Sequence, residues 1–499
     1  MPHSPDNLPL PLYSAAQVRE LDARLIAAGT LGFELMTRAA EAVWELLRQQ
    51  WPRVREMTVL AGRGNNAGDG YLIARLAGET GWQVCVLAVG DPLCLQGDAA
   101  LARAQAVAAG ISVEPWQASS ELRGVVVDAL LGTGLSGTVR EPYAQAIAQV
   151  NQSGLPVVAV DIPSGLCADT GNVLGIAVQA QLTVTLIGLK LGLFTGQAAD
   201  YIGDLHFADL RADPSIVASH AYAALRLSAQ SLPALAPRKA TTHKGQLGHV
   251  LVVAGERGYG GAGLLAAQSA LRSGAGLVSL ATRSEHVLVS QARQPEVMAI
   301  GVDSANQLLA LGAAASVWVV GPGLGQGAWA RSLLSAASIS SAVQVWDADA
   351  LNLLAQGVVR LPECAVLTPH PGEAGRLLGI SSARVQADRP AAARALAVRY
   401  GQVCVLKGAG SFIATPCGQL WLCERGHPVM AGAGLGDVLS GLIGSLLAQG
   451  LSTVDAARLA VYLHACAGER LSSLGRGLAA SDLCVVIREL MQEHSACLK

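Results

Sequence analysis

Short apolar runs recur along the chain, and most of them end in glycine or aspartate before a segment with helical periodicity. They lie at residues 57–62, 83–89, 124–130, 156–165, 249–255, 317–325, 343–351, 365–373 and 402–410. Strands that alternate with helices favour a parallel sheet that is covered on both faces. A proline-containing basic stretch at 232–246 interrupts this rhythm. The pattern therefore predicts two consecutive α/β domains.

The length of 499 residues is too great for one ordinary hydrophobic core. We place the boundary region at 226–246, between a first domain at 1–225 and a second at 247–499. About half of the residues (51%) are apolar and 14% are charged, which suits helices packed closely on sheets rather than a disordered chain. The ten cysteines form no C-x-x-C pair, so the sequence predicts neither a zinc site nor a disulfide framework.

The formal net charge of −2 gives the chain no overall attraction for nucleic acid or an anionic membrane. The most hydrophobic stretch, 182–194, contains Lys190 and glycines and is interpreted as a buried strand and loop rather than a membrane span. We therefore expect a cytoplasmic protein that acts on small molecules, without a nucleic-acid or membrane partner. We also expect it to form a homo-oligomer.

Three polar, glycine-containing segments follow predicted strands of the first half, where an open parallel sheet binds its ligands. They are AGRGNNAGDG at 61–70, VVVDALLGTGLSGTVREP at 125–142 and VVAVDIPSGL at 157–166. Backbone amides at a helix start can hold a phosphate group. A single aspartate after a strand is often only a helix cap. Because Asp128 and Asp161 both stand near glycine or serine, a shared pocket is favoured over separate caps.

In this order and spacing the three segments resemble the NAD(P)H-hydrate epimerase domain, as do YSAAQVRELD at 13–22 and ELMTRAAEAV at 34–43. The resemblance implies a Rossmann-like three-layer sandwich, with Asp161 assisting acid/base chemistry at the hydroxyl-bearing ring carbon. It implies a potassium site at Asn66, Asp128 and Ser164, whose oxygen donors suit a hard cation. The implied substrate-binding residues are Asn65, Asn66, Ala67, Gly68, Asp69, Gly132, Thr133, Gly134, Leu135, Ser136, Gly137, Thr138 and Asp161.

One residue of the first loop departs from the family pattern. The family has NNGGDG, whereas this chain carries Ala67 in the third position. If that position required a positive φ, alanine would cost roughly 1 kcal/mol and would loosen the loop. Full epimerase activity therefore depends on the backbone conformation at Ala67.

The most informative stretch of the second half is PVMAGAGLGDVLSGLIGSLLAQG at 428–450. Its glycine turn leads directly into a helix, so free amides and the positive end of the helix dipole would face one point beside Asp437. Such a site can stabilise a transferring phosphoryl group while the carboxylate accepts a proton from the attacking hydroxyl. The alternative is a glycine-packed helix start in which Asp437 only pairs with the dipole. The strand-end segments LKGAGSFI at 406–413, TPHPGE at 368–373 and GPGLG at 321–325 favour the ligand site.

Together with HKGQLGHVLVVAG and GAGLLAAQSALRSGAGLV, these segments resemble the ADP-dependent NAD(P)H-hydrate dehydratase, which is a ribokinase-like α/β enzyme. The resemblance implies that Asp437 is the catalytic base. The hydrated nicotinamide would be bound by Ala262, Gly323, His370 and Asp437, and ADP by Lys407, Gly408, Ala409, Gly410, Ser411 and Gly436. Mg²⁺ is expected with the nucleotide, although the sequence offers no ligand set for it.

Both resemblances together imply a bifunctional repair enzyme. ADP would phosphorylate the ring hydroxyl, and elimination would then return NADH or NADPH with release of AMP and phosphate. Hydration of the nicotinamide ring gives two epimers at the hydroxyl-bearing carbon, whereas a pocket built for in-line phosphoryl transfer accepts only one of them. An epimerase on the same chain converts the other epimer into the accepted one, so that both can be repaired.

Three alternatives compete with this interpretation. The first is a ribokinase-like small-molecule kinase with a non-catalytic N-terminal ligand-binding module. The second gives the first half a role as an interaction or RNA-associated scaffold, which the presence of Asp128 and Asp161 and the nearly neutral charge disfavour. The third, an NAD-dependent oxidoreductase, fits worst because AGRGNNAGDG does not match G-x-G-x-x-G.

Overall fold

The chain divides into two compact units, Met1–Leu225 and Arg226–Lys499. The computed structural model describes residues 7–497. The strands of the first unit are β1 (Pro11–Tyr13), β2 (Glu56–Ala61), β3 (Gln83–Ala88), β4 (Ser112–Pro115), β5 (Val125–Ala129), β6 (Val157–Val160), β7 (Leu182–Leu186), β8 (Leu189–Lys190), β9 (Asp204–Ala208) and β10 (Ala224–Arg226), which ends at the boundary. Its helices are α1 (Ala15–Ala27), α2 (Gly32–Gln50), α3 (Asn65–Glu79), α4 (Gly97–Ala108), α5 (Tyr143–Gln152) and α6 (Pro214–Ser219).

The first unit is built on a parallel sheet of seven strands in the order β4-β3-β2-β5-β6-β7-β9. The central strands β5, β6 and β7 are buried along their whole length, as expected for apolar runs covered on both faces. One hydrophobic core packs α2, α3 and α4 on one face, and a second packs α5 on the other. The chain order changes direction between β2 and β5, so the loops after these strands flank a crevice of the kind that binds ligands.

The strands of the second unit are β11 (His249–Val253), β12 (Leu277–Thr282), β13 (Met298–Gly301), β14 (Val317–Val320), β15 (Val343–Trp346), β16 (Ala365–Leu367), β17 (Val403–Leu406), β18 (Ser411–Ala414) and β19 (Leu420–Cys423). Its helices are α7 (Gly260–Arg272), α8 (Val287–Arg293), α9 (Ala305–Gly312), α10 (Ala328–Ser338), α11 (Asp349–Ala355), α12 (Pro371–Leu378), α13 (Ser382–Ala387), α14 (Arg389–Tyr400), α15 (Leu435–Ala448), α16 (Thr453–Leu471) and α17 (Ala480–His494).

These strands follow one another in the order β13-β12-β11-β14-β15-β16-β17-β18-β19. Neighbouring strands from β13 to β17 are parallel, and β18 pairs antiparallel with both β17 and β19. The chain order changes direction between β11 and β14. The loops after these two strands, 254–259 and 321–327, therefore flank the crevice of the second sheet.

Helices α7 and α15 pack with almost no side chain between them. Ser269 Oγ donates a hydrogen bond of 2.7 Å to the carbonyl oxygen of Val438. A Cβ atom at Gly441 would lie 2.1 Å from the carbonyl oxygen of Ala266, closer than any side chain allows. The glycine at 441 thus lets α15 approach the backbone of α7. This contact fixes the position of α15, including its first turn, relative to α7.

The predicted α/β fold class is confirmed, and each apolar run predicted as a strand contains one. The run at 182–194 forms β7 and β8, with Lys190 fully buried. Strands that the pattern did not indicate are β1, β4, β9, β10, β12, β13, β18 and β19. The segment 226–246 packs within the second unit, where the Arg238 amide donates a 2.7 Å hydrogen bond to the Cys497 carbonyl. Among residues 7–497, no helix has both the length and the apolar character needed to cross a membrane.

Candidate functional site

The loop after β2 lies directly against the loop after β5. The Gly62 amide donates to the Ala129 carbonyl at 3.0 Å, and a Cβ atom at Gly62 would lie 1.8 Å from the Leu130 carbonyl oxygen. At the start of α3, the Asn66 Cβ lies 3.5 Å from the position a Cβ would take at Gly132. The structure therefore brings the first two predicted binding loops together at the crevice.

Two buried polar atoms at this point lack a partner. Both the Oδ1 and Nδ2 atoms of the Asn66 amide are buried, and neither makes a hydrogen bond with any residue in 7–497. A buried amide without partners costs free energy unless a ligand, ion or water satisfies it. The amide of Asn66 is therefore a candidate ligand group.

The remaining residues of the first loop are packed into α3. Ala67 and Gly68 are buried, and their amides already donate to the Gly64 carbonyl at 3.0 and 3.4 Å. Ala67 lies in the helix without a positive φ, so the strain considered for an alanine at this position does not arise. Asp69 is 8% exposed, and burial together with the nearby Asp161 raises its pKa well above the usual range. Any phosphate contact of this loop thus falls to Asn65, which is exposed, and Asn66.

The second loop extends from the carboxyl end of β5. Its residues Gly134, Ser136, Gly137 and Thr138 are exposed, and Gly132, Thr133 and Leu135 are half-buried. The Leu135 amide closes a turn on the Gly132 carbonyl at 3.2 Å. This loop presents glycine and hydroxyl groups to solvent beside Asn66, as a loop that receives a phosphate would.

Asp128 and Ser164 form a buried oxygen-rich pair behind the two loops. The Ser164 hydroxyl donates to Asp128 Oδ1 at 2.6 Å, and the Ser164 amide donates to Oδ2 at 2.7 Å. Both residues are fully buried. Burial raises the pKa of Asp128 to about 6, although the hydrogen bonds from Ser164 oppose this rise. A bound cation would stabilise the ionised form of the buried Asp128 carboxylate.

Asp161 lies at the end of β6 in a left-handed conformation, with φ of 69°. Such a conformation is rare outside glycine and is often found at functional sites. The Asp161 carboxylate forms an ion pair with Lys190 and accepts a 3.0 Å hydrogen bond from the Leu186 amide. Lys190 is fully buried and also donates to the Leu186 carbonyl at 2.9 Å. Sequence reasoning missed Lys190 as a functional residue, although a charge inside an apolar run was the signal.

In the second unit, the residues predicted to contact the nicotinamide flank the crevice between β11 and β14. Gly323 has φ of 53°, and the position of a Cβ there would be 3.1 Å from the Ala262 Cβ and 2.8 Å from the Tyr259 carbonyl oxygen. Gly323 thus allows the loop after β14 to touch the start of α7. The structure brings Ala262 and Gly323 together as a small-residue surface.

Asp347, a residue that sequence reasoning missed, connects Lys407 to the glycine turn. The Lys407 Nζ atom donates to Asp347 Oδ1 at 2.8 Å, and the Ser440 hydroxyl donates to Asp347 Oδ2 at 3.0 Å. The same hydroxyl lies 2.7 Å from the Gly436 carbonyl. Asp347 is almost completely buried, so this network holds the end of β17 against the first turn of α15.

Asp437 lies in the first turn of α15, whose N-cap Gly434 has φ of 83°. Burial, and after it the nearby Asp347, raise the pKa of Asp437 to about 7, while Lys407 opposes the shift. A position for a Cβ at Gly436 would be 3.2 Å from Lys407 Nζ. Helix amides, an ammonium group and a carboxyl that titrates near neutrality therefore meet at one point, as a phosphoryl-transfer site requires.

His370 caps α12 through its ring. Its Nδ1 atom accepts from the Gly372 amide at 2.9 Å, and the Glu373 carboxylate accepts from the His370 amide at 2.8 Å. Half of the His370 side chain is exposed, and its Nε2 atom lies 3.3 Å from the Glu373 carboxylate. Burial and then the nearby Lys407 lower the pKa of His370, which favours a neutral ring at physiological pH.

The predicted nucleotide loop follows β17. The Ser411 hydroxyl bridges the loop, since it accepts from the Gly408 amide at 3.3 Å and donates to the Gly408 carbonyl at 3.0 Å. Gly408 and Ala409 are exposed, and Gly410 is buried. The loop begins at Lys407 and therefore lies beside the turn that carries Asp437.

These features define a class of protein: an enzyme with two doubly wound α/β units, the second of which has a ribokinase-like fold. Comparison with protein families agrees with this class. Residues 32–192 match the family described as YjeF-related protein N-terminus, and residues 250–488 match NAD(P)H-hydrate dehydratase. The chain belongs to the family of bifunctional NAD(P)H-hydrate repair enzymes.

Individual relatives match over nearly the whole chain. The bifunctional NAD(P)H-hydrate repair enzyme Nnr of Coxiella burnetii is 44% identical, covering 96% of this chain and 99% of the relative. The enzyme of the same name from Escherichia coli is 42% identical, covering 98% and 96%. A crystal structure of a ribokinase-like superfamily protein from Enterococcus faecalis is 29% identical with a TM-score of 0.51, covering 54% of this chain and 96% of that one.

Proposed function

We propose that this chain repairs hydrated NADH and NADPH, with an epimerase in residues 1–225 and an ADP-dependent dehydratase in residues 226–499. The observation that carries the proposal is the meeting of Asp437, Lys407 and the α15 start at one point. The proposal for the first unit is supported by Asp161 at the crevice edge, by the unpartnered Asn66 amide and by its family match.

The dehydratase step begins with phosphoryl transfer from ADP to the ring hydroxyl. Asp437 accepts the hydroxyl proton, and its pKa of about 7 suits a base that works near neutral pH. The α15 amides and the Lys407 ammonium stabilise the charge on the transferring group. AMP leaves, and the carbon–oxygen bond then breaks as the ring nitrogen donates its electron pair. Loss of a proton from the adjacent carbon restores the double bond and gives NAD(P)H and phosphate.

His370, Ala262 and Gly323 would form the wall that receives the hydrated nicotinamide. Ala262 and Gly323 provide small residues beside the exposed Tyr259, and His370 presents a half-exposed neutral ring. Small and aromatic residues with one polar group suit a nicotinamide ring. The nucleotide would occupy Lys407–Ser411 and Gly436, where Gly436 lies close to the Lys407 ammonium and directly precedes Asp437.

The epimerase step would use Asp161 as the acid/base group at the hydroxyl-bearing carbon. Its ion pair with the buried Lys190 fixes the orientation of the carboxylate. Asn65 and Asn66 of the first loop, together with the loop at 132–138, would hold the phosphates of the same substrate. The epimerase would thereby deliver to the dehydratase the hand of hydrate that the second pocket accepts.

A potassium ion would be held by Asn66, Asp128 and Ser164. The Asn66 amide oxygen is buried without a partner, and the Asp128 carboxylate is fully buried beside the Ser164 hydroxyl. These are the oxygen donors that hard cations prefer. A bound cation would supply positive charge next to the loops that hold the substrate's phosphates.

Magnesium would arrive with the nucleotide rather than on a site of its own. In the described part of the chain, no three side chains of His, Cys, Asp or Glu are grouped to hold a metal. Mg²⁺ commonly keeps several waters and binds chiefly to nucleotide phosphates with one or two carboxylates. The protein's remaining properties are also proposals: a cytoplasmic location, a homo-oligomeric state and the lack of nucleic-acid or membrane partners.

One assay tests the proposed function. Purified protein is mixed with each hydrate epimer and with ADP or ATP, and the return of reduced-nicotinamide absorbance is followed while AMP and phosphate are measured. We expect both epimers to be repaired with ADP, in equal amounts of NAD(P)H, AMP and phosphate. Accumulation of a stable phosphoester would instead identify a small-molecule kinase and contradict the proposal.

A further inference from the structure

Arg389 is the first residue of α14, and its side chain is only 3% exposed. A buried guanidinium normally pairs with a carboxylate. Within residues 7–497, no carboxylate contacts Arg389, and its Nε atom has no hydrogen-bond partner. Burial lowers its pKa to about 10, so the group remains a cation at neutral pH.

The guanidinium lies directly beneath the loop that follows β17. Its Nη2 atom donates to the Gly410 carbonyl at 3.1 Å, and both terminal nitrogens lie 3.4 Å from the Lys407 carbonyl. Its Nη1 atom also donates to Gln386 at 2.9 Å. Two carbonyl groups of the loop are thus turned inward, away from the exposed side.

Gly408 rests on the same guanidinium. It has φ of 146°, and a Cβ atom there would lie 2.6 Å from Arg389 Nη1. Only glycine allows this close approach of backbone to side chain. The outer side of Gly408 and of Ala409 is exposed, so the loop is a thin layer between the buried cation and solvent.

This arrangement suits a ligand that carries negative charge. Carbonyl oxygens that point inward do not repel a phosphate on the outer side. A cation that is hydrogen-bonded to neutral groups rather than to a carboxylate keeps its net positive charge, and a low-dielectric setting strengthens the attraction of that charge for a phosphate. We propose that Arg389 is a positioning residue of the nucleotide site, which fixes the 407–411 loop and attracts the phosphates of a nucleoside diphosphate through it. This inference rests on the proposed function, which places ADP on the loop.

The test measures the binding of ADP and of adenosine to the full chain by isothermal titration calorimetry, in Arg389→Met, Arg389→Lys and the wild type. We expect Arg389→Met to weaken ADP binding roughly tenfold or more, while adenosine binding changes by less than about twofold. Arg389→Lys keeps the charge but loses the forked contacts, so its ADP affinity should lie between those of the other two proteins.

Arg394→Met is the matched control, because Arg394 lies on the same helix, is half-buried and interacts with Asp388. It should bind ADP as the wild type does. Should Arg389→Met fail to fold, Gly408→Ala provides a second route, since its Cβ would displace the guanidinium and should weaken ADP binding in the same selective way.

The outcomes separate this inference from the function on which it rests. A wild-type chain that does not bind ADP would remove both. Normal ADP binding by a folded Arg389→Met protein would overturn the role of Arg389 alone, and so would an equal loss of ADP and adenosine affinity, because a merely structural role predicts no preference for the phosphate-bearing ligand.

Discussion

Replacing the proposed base, Asp437→Asn, should abolish dehydratase activity and at the same time stabilise the second unit at alkaline pH. Asparagine cannot accept the hydroxyl proton, so we expect kcat to fall by about 10²- to 10⁴-fold for both hydrate epimers. The stability effect has a separate cause. Burial, and after it the nearby Asp347 and Glu373, disfavour the ionised form of Asp437 in the folded protein, although Lys407 opposes them.

The size of the stability effect follows from the pKa of Asp437, which folding raises from 3.8 to about 7. Because the folded value is the higher one, ionisation costs the folded state nothing below the unfolded pKa, and the cost grows until the pH passes the folded pKa. At about 1.36 kcal/mol per pKa unit, the full cost is about 4 kcal/mol at pH ~8 and about 1.6 kcal/mol at pH ~5. The variant should therefore gain about 2.5 kcal/mol more at the higher pH.

Equilibrium urea unfolding at the two pH values measures this gain, with the second unit's transition assigned by hydrogen exchange of the buried β14 amides. Asp303→Asn is the control, since Asp303 is exposed and its replacement should give no pH-dependent difference. A stability difference between Asp437→Asn and the wild type that stays constant with pH would refute the burial argument. Retention of more than about one-tenth of the wild-type kcat would refute the role of Asp437 as base.

Three further predictions concern other residues of the two sites. Asp347→Asn removes a negative neighbour of Asp437 and leaves Lys407 without its carboxylate partner, so the pKa of Asp437 should fall. The acid limb of the kcat/KM pH profile should then move below its wild-type position near pH 7. An unchanged acid limb would contradict the electrostatic coupling between Asp347 and Asp437. Asp161→Asn should slow repair of only that epimer which needs inversion, as measured with each epimer and ADP, whereas equal slowing of both would contradict the proposed division of labour. Potassium chloride should raise the thermal midpoint of the first unit relative to tetramethylammonium chloride at equal ionic strength, and Asp128→Asn should lose that increment; the same increment in both proteins would place the cation elsewhere.

The strands of both sheets could be predicted because their apolar runs are continuous and end in glycine or aspartate. The run that ends at Asp128, for example, becomes the fully buried β5. Strands such as β9 and β13 were missed because they are partly exposed and their sequences alternate weakly. The positions of the loops at Asn66 and Gly132 after neighbouring parallel strands also predicted that they meet at one crevice, as they do in the structure.

Side-chain contacts between residues that are far apart in the chain could not be predicted from the sequence. Asp347 and Lys407 are 60 residues apart in the chain, and nothing in either segment indicates that they form an ion pair. The sequence also did not predict the burial of Asp69, because a carboxylate in a glycine-rich loop suggests exposure. In the structure α3 begins at Asn65, so Asp69 lies within the helix and is buried. The pattern located the crevices, but the pairing of charges within them depends on tertiary packing.

The close contact between α7 and α15 makes the geometry of the base sensitive to a residue that touches no substrate. Even a methyl group at Gly441 would collide with the Ala266 backbone and push α15 outward, carrying Asp437 with it. A substitution at Gly441 would lower the activity measured in a screen, although Gly441 is buried and lies one helical turn after Asp437. In lineages of this chain, the tolerance for change along α15 should therefore be set by the neighbouring helix rather than by the ligand.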